Sequence, residues 1–329
     1  MCRDIERSLS YQSHVYRQFG SRTLRTTVGL ATLAPAVPTA DGNLIYIVAS
    51  PSGPPDDIHW RHHWRDGAEI VLSLATSGRD YWLRVPELAD FLVQLNPCRI
   101  QVAPSASGLD DATLEHLLVD QILPRLMSHQ GELLVHASLL EISGRHALFL
   151  GPSGFGKSTL AGLMQRHGHR VLSDDCVQLV WQGDRPAAIA TYPSLRLNKD
   201  SLEAVCPGNG DTTPMASYSE KRRVPLAPDP DAAAPRSIAA MYLLGDPESE
   251  GDGIQFTPLR PAQSCLALIR HSFRLDLGDR EANAGQLARC GDIARRVSAF
   301  QLDYRRDFAQ QRALVEAVTA HLGQLPAPH

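Results

Sequence analysis

The chain has 329 residues and a formal charge of −4, from 32 Lys and Arg against 36 Asp and Glu; 43% of residues are hydrophobic and 21% charged. These fractions exclude wholesale disorder, collagen and a fibrous rod, and at about 150 residues per domain the length suggests two domains. A pI near 6.3 also excludes the general basic footprint of a nucleic-acid binder.

Six cysteines, Cys2, Cys98, Cys176, Cys206, Cys265 and Cys290, form no C-x-x-C pair and no zinc-finger spacing, so reduced thiols are expected. The first twenty residues are charged throughout and contain no apolar h-region, so no secretory signal is expected. No apolar run approaches the roughly 18 residues of a membrane span. The expectation is a cytoplasmic protein with neither nucleic acid nor membrane as partner.

To about residue 128 the pattern is that of a small α+β domain, recognition or structural in role. Thr23–Leu33 and Leu44–Ala49 are rich in β-branched residues and bounded by Gly, Pro and Asp, which predicts strands. Ser50–Asp57 is a loop by composition. In His59-Trp60-Arg61-His62-His63-Trp64, His59 and His63 would share a face on a helix. No Glu follows in the H-E-x-x-H sense and Arg61 and Arg65 disfavour a cation, so packing or peptide contact is preferred to a metal. Glu69–Leu74 and Tyr81–Val85 predict a hairpin, and Pro86-Glu87-Leu88 opens a short helix through Leu95. Asp110 or Asp111 N-caps a helix in which Leu114, Leu117, Leu118, Ile122 and Leu123 recur at helical spacing.

From about residue 129 strands and helices alternate. Leu133–Ile142 and His146–Leu150 predict two strands turning at Ser143-Gly144, Ile238–Leu244 a buried strand, and Pro261–His271 and Phe308–Leu322 helices. Between the second strand and the next helix lies Gly151-Pro152-Ser153-Gly154-Phe155-Gly156-Lys157-Ser158, which satisfies G-x-x-x-x-G-K-[ST] at every fixed position. Such a loop points backbone N–H groups into one concavity, and the helix N-terminus adds positive partial charge there. The loop, with Thr159, is therefore a predicted nucleotide site, Lys157 reaching the β- and γ-phosphates and Ser158 the Mg²⁺.

Asp174 and Asp175 follow Lys157 by 17 and 18 residues, at the end of the short apolar strand Val171-Leu172. Two carboxylates there can divide Mg²⁺ binding from accepting the proton of an attacking hydroxyl. A solvated Asp-Asp turn, or one metal-binding acid with a bystander, is the plainer alternative. His136 precedes Lys157 by 21 residues on a strand expected beside the loop strand, where a satisfied core histidine is the plainer reading. Lys221, Arg222 and Arg223 form a basic triplet beside the Pro-rich loop Pro225–Pro230, a phosphate clamp or a solvated turn. Arg196 is a similar candidate, and Arg305-Arg306-Asp307 reads as surface.

Taken together, the residues from Leu133 to Leu179 resemble the catalytic core of the HPr kinase/phosphorylase family. There a strand histidine is followed by a Walker A loop, a Gly-His-Arg pattern, here Gly168-His169-Arg170, and an aspartate pair. The likeness covers roughly residues 131 to 180. It implies a P-loop kinase-like α/β domain over 129–329 and the cofactors ATP and Mg²⁺. It further implies Asp175 as the base toward a serine hydroxyl, Lys157 on the transferring phosphoryl group, Ser158 and Asp174 as metal ligands and His136 as a positioning group. Downstream, YPSLRLNKDSLEAV and YSEKRRVPL depart from the family's signatures, the segments linked to phosphorylase activity have no counterpart, and the second metal carboxylate rests between Asp200 and Glu203. This part instead resembles HPr-kinase-like serine kinases, among them those acting on the C-terminal serine of lasso peptide precursors. The expected reaction is γ-phosphoryl transfer to a serine of a protein or peptide; the resembled family tends to form homo-oligomers, and the oligomeric state of this chain stays open. A kinase for free serine or a sugar-like alcohol, and a nucleotide-hydrolysing regulator without phosphotransfer, are the alternatives.

Overall fold

A computed structural model of the chain describes residues 14–38, 43–105, 109–206, 211–227, 229–248 and 253–326. Most of the charged N-terminal stretch discussed above lies outside them. Two compact units divide the chain, Met1–Leu126 and Met127–His329.

The first unit is built on one sheet of eight strands: β1 Val15–Phe19, β2 Arg22–Thr26, β3 Leu44–Ala49, β4 Trp60–Asp66, β5 Glu69–Ser77, β6 Asp80–Val85, β7 Ala89–Leu95 and β8 Cys98–Pro104. Their order is β1-β2-β3-β8-β7-β6-β5-β4, parallel only at β2/β3 and β3/β8. The expected helix over residues 86–95 is instead a turn followed by β7. Ala89, Phe91 and Val93 alternate inward, and that period of two outweighs the helix-opening proline. His63 lies in β4 with Nδ1 2.8 Å from Ser73 Oγ, so the histidine cluster has no helical face. Helix α1 (Asp111–Leu117) starts where Asp110 accepts hydrogen bonds from the Thr113 N–H and hydroxyl. It runs through one π-helical turn, Leu118–Ile122, into α2 (Leu123–His129).

The second unit begins with β9 (Leu133–Val135), β10 (Ala137–Ile142) and β11 (Arg145–Leu150), then α3 (Lys157–Arg166) and β12 (Arg170–Ser173). β13 (Val177–Gln182), β14 (Arg185–Ala190), β15 (Ser194–Leu197), α4 (Lys199–Val205), β16 (Thr213–Pro214) and β17 (Arg222–Pro225) follow. The chain closes with β18 (Arg236–Leu244), β19 (Gln255–Pro258), α5 (Pro261–His271), α6 (Arg280–Arg296), β20 (Ala299–Asp303) and α7 (Gln311–Gln324). The main sheet runs β12-β10-β11-β18-β14-β13-β9, with β20 on β18 and β19 on β20. β18 pairs in parallel with β11 and with β20. β15, β17 and β16 form a small separate sheet.

β11 is apolar on both faces, as a strand covered on both sides must be. Ala147 and Phe149 pack with Leu160 and Met164 of α3 and Val318 of α7. Leu148 and Leu150 pack with Leu268 of α5 and Ile293 of α6. Helices on both sides thus hold this strand, and the glycine loop leaves its C-terminal end. Among the described residues no helix is long and apolar enough to cross a membrane.

Candidate active site

The loop between β11 and α3 takes backbone conformations that explain its glycines. Gly154 and Gly156 have φ of +84° and +88°, the left-handed region that a side chain disfavours, and Gly156 is the N-cap of α3. Pro152, Ser153 and Gly154 form the exposed tip, while Phe155 turns back onto the core. Lys157 is buried and folds over the loop, its ammonium donating to the Gly151 carbonyl at 2.8 Å and the Pro152 carbonyl at 3.1 Å. Burial lowers its pKa, against the pull of Asp175 and Asp174. The Thr159 hydroxyl is 2.8 Å from that of Ser201 on α4.

The run from Leu133 to Ile142 is not one continuous strand but two, broken at His136. Its partner is broken as well, at Asp174–Cys176. β9 pairs with β13 as Leu133↔Leu179 and Val135↔Val177, and β10 pairs with β12 through Leu139↔Ser173, in the same register on both sides of the gap. The ladder therefore opens over His136–Ser138 and Asp174–Cys176. The His136 N–H leaves the ladder and donates instead to the His271 carbonyl at 2.6 Å. Opposite it, the Cys176 N–H donates to the Asp174 carbonyl at 2.9 Å, closing a three-residue turn about Asp175, whose φ is +66°. A turn of that hand is rare and strained, and strain of this kind gathers at functional sites.

The two carboxylates are in different settings. Asp174 is fully buried; Oδ1 accepts the Ser138 hydroxyl at 2.6 Å, while Oδ2 is buried without a hydrogen bond. Burial and then the Asp175 charge push its carboxyl up to about 6, against the Ser138 and Ser158 hydroxyls beside it. Asp175 Oδ2 accepts from Arg196 at 3.0 Å, and Oδ1 is 3.6 Å from His136 Nε2. Burial would raise this carboxyl too, but Arg196, His136, Lys157 and Lys221 hold it well below the usual range. His136 Nδ1 donates to the Asp175 carbonyl oxygen at 2.8 Å, so the imidazole grips backbone and carboxylate of one residue. His136 is thus no buried core histidine; about a third of its side chain is exposed.

Arg196 on β15 is buried, with its guanidinium 4.5 Å from the Tyr192 ring centroid. Its register partner on β17 is Arg223, also buried, over the same ring at 5.6 Å. Arg222 points elsewhere, donating to the Thr212 hydroxyl and carbonyl. Of the basic triplet, Lys221 is the member close enough to act on both Lys157 and Asp175. His271 is a group that spacing did not suggest: its carbonyl holds His136, and burial, with His136 and Lys157 near, lowers its own pKa to about 4. Asp200 and Glu203 are both exposed on α4, and among the described residues no three His, Cys, Asp or Glu side chains cluster as a metal site.

The structure thus brings Lys157, Asp174, Asp175 and His136 to one point, with Ser158 beside Asp174. No family model matches the chain. An HPr kinase/phosphorylase of Limosilactobacillus reuteri is 38% identical over 85 residues, 24% of this chain and 26% of that protein. One from Lactobacillus delbrueckii is 31% identical over 105 residues, 30% and 32% of the two chains, and one from Geobacillus thermodenitrificans 39% over 61 residues, 18% and 19%. In these alignments the chain spans between about a fifth and a third of the length of the relatives it matches. The solved Hpr(Ser) kinase/phosphatase of Coxiella burnetii superposes at a TM-score of 0.31 with 14% identity, covering 57% of this chain and 95% of that one. Over the aligned sequence segment the chain is similar to the HPr kinase/phosphorylases.

Proposed function

We propose that the chain is a kinase of the P-loop type that transfers the γ-phosphoryl group of ATP, with Mg²⁺, to a serine hydroxyl of a protein or peptide. The observation that carries this reading is the opened ladder, which sets two carboxylates in unlike surroundings side by side, both near Lys157 of the glycine loop. Asp174, with an unpaired buried oxygen next to the Ser158 hydroxyl, fits a small divalent cation. When bound, Mg²⁺ supplies neutralisation of the charge on the phosphate oxygens.

The side chains supply the rest. Lys157 leaves the loop carbonyls for the phosphates, and the N–H groups of the glycine loop hold the same oxygens. Asp175 is held ionised by its cations and takes the proton of the serine hydroxyl as its oxygen bonds to phosphorus and the bond to the ADP oxygen breaks. His136 fixes Asp175 through its carbonyl and faces its carboxylate, a positioning role. The division into a recognition or structural module to about residue 128 and a catalytic module after it is part of the same proposal.

The test is phosphoryl transfer from γ-labelled ATP to serine-containing proteins and peptides. Asp175→Asn is expected to lose transfer by a factor of about 10²–10⁴ while nucleotide still binds. Transfer at the wild-type rate in a folded Asp175→Asn protein overturns the base assignment.

A further inference from the structure

Arg305-Arg306-Asp307 reads as surface in the sequence, yet only Arg305 and Asp307 are exposed. Arg306 turns inward across the ends of two parallel strands. Its guanidinium donates to the carbonyl of Gly245, just past β18, at 2.8 Å, and to that of Tyr304, just past β20, at 2.8 Å. It lies 3.7 Å from the centroid of the Tyr304 ring. The pair stands against the glycine loop: a side-chain carbon on Gly156 would lie 3.6 Å from both Arg306 Nε and the Tyr304 hydroxyl. Nε is buried and has no hydrogen-bond partner. Gly156 thus leaves room where loop and guanidinium meet.

The sheet order says what this room is for. The two candidate carboxylates, with the Ser138 hydroxyl that holds one of them, lie on one side of β11, from β10 and the end of β12. β18 and β20 lie on the other side, and in a parallel sheet ligands gather at the C-terminal strand ends. A nucleotide is an extended molecule. With a terminal phosphate beside Asp174 and Asp175, the side of β11 left for the rest of such a molecule is that of β18 and β20, where Tyr304 and Arg306 stand.

We propose that Tyr304 and Arg306 form the nucleoside wall of the site, the guanidinium giving a flat cationic face to the purine base. The chemistry suits a base, because a planar guanidinium backed by an aromatic ring stacks on π systems where a lysine cannot. This proposal rests on the nucleotide reading above.

Titration calorimetry with ATP and with inorganic tripolyphosphate, both with Mg²⁺, separates the possibilities. Arg306→Ala and Arg306→Lys are each expected to weaken ATP roughly tenfold and to leave tripolyphosphate unchanged, which also shows that the loop is folded. An equal loss on both ligands in the Lys variant makes Arg306 a phosphate ligand and overturns the proposal, as does unchanged ATP affinity. A wild-type protein that binds neither ligand sinks the nucleotide site itself, and the wall with it.

Discussion

Arg196→Met tests the electrostatic design of the site without touching the glycine loop. Methionine keeps an apolar stem over Tyr192 and removes the charge that meets Asp175 at 3.0 Å. Arg196 is 3% exposed and Asp175 15%, so the pair is screened far less than a surface bridge. Removing one partner of a buried pair costs about 3–5 kcal/mol when the other charge is stranded. Here His136, Lys157 and Lys221 remain near the carboxylate, so a loss of about 2–3 kcal/mol is expected at pH 7. Urea denaturation measures it.

The pH dependence provides the sharper check. Asp175 has a folded pKa depressed below its unfolded value of about 3.9. Its stabilisation is therefore fully present above that value and is lost as pH falls. Arg196→Met moves the folded pKa back up, so the variant loses less on acidification than the wild type. The stability gap should narrow by up to about 1 kcal/mol between pH 7 and pH 3. A gap under about 0.5 kcal/mol at pH 7, or one that widens in acid, refutes the reasoning that Arg196 holds Asp175.

Asp174 should behave in the opposite sense, since its carboxyl is pushed up to about 6 in the folded protein. Without Mg²⁺, stability should fall on the order of 2 kcal/mol as pH rises from about 4 to 7; Mg²⁺ should flatten that slope, and Asp174→Asn should abolish it. Urea midpoints at several pH values, with and without the ion, decide this, and a slope insensitive to the Asn variant counts against it. Gly162 of α3 meets α4 so closely that an added side-chain carbon would lie 2.6 Å from Val205 Cγ1. Gly162→Ala should therefore cost about 1–3 kcal/mol despite alanine's better helix propensity, and Val205→Ala in the same chain should recover part of it; strictly additive losses would exclude the contact.

Much of the second unit was legible in the sequence because its signals are local. A glycine loop between an apolar strand and a period-3.6 helix can be read without a tertiary structure, and α5 runs from Pro261 to His271, the residues its pattern predicts. Where signals conflicted, legibility failed. Pro86 and Glu87 look like a helix start, but the alternation of Ala89, Phe91 and Val93 is a strand's. In Leu133–Ile142 the apolar run conceals a break, because the residue that breaks it is a histidine whose amide is captured by a carbonyl 135 residues away. Arg196 and Arg306 take their partners from Asp175 and Gly245, remote in sequence. No window of neighbouring residues contains that information.

The opened ladder also explains why these carboxylates sit where chemistry can use them. Inside an unbroken antiparallel pair, residues 174 and 175 would point to opposite faces of the sheet. The left-handed Asp175 ends that alternation, so both carboxyls reach the loop side, Asp174 under Ser138 and Asp175 between Arg196 and His136. The backbone groups freed by the break are satisfied locally: the Cys176 N–H by Asp174, the Cys176 carbonyl by the Ser173 and Thr191 hydroxyls at 2.8 and 2.6 Å, and the His136 N–H by His271. Two hydroxyls on the Cys176 carbonyl, the Ser138 hydroxyl on the Asp174 carboxylate and a helix C-terminus thus hold open a gap that regular pairing would close. Since an unpaired buried amide or carbonyl costs about 1–3 kcal/mol, the strained turn at Asp175 persists only while those partners are in place. The positions that decide whether the site is assembled therefore include Ser138, Ser173, Thr191 and His271, none of which touches the transferring phosphate in the proposed reaction.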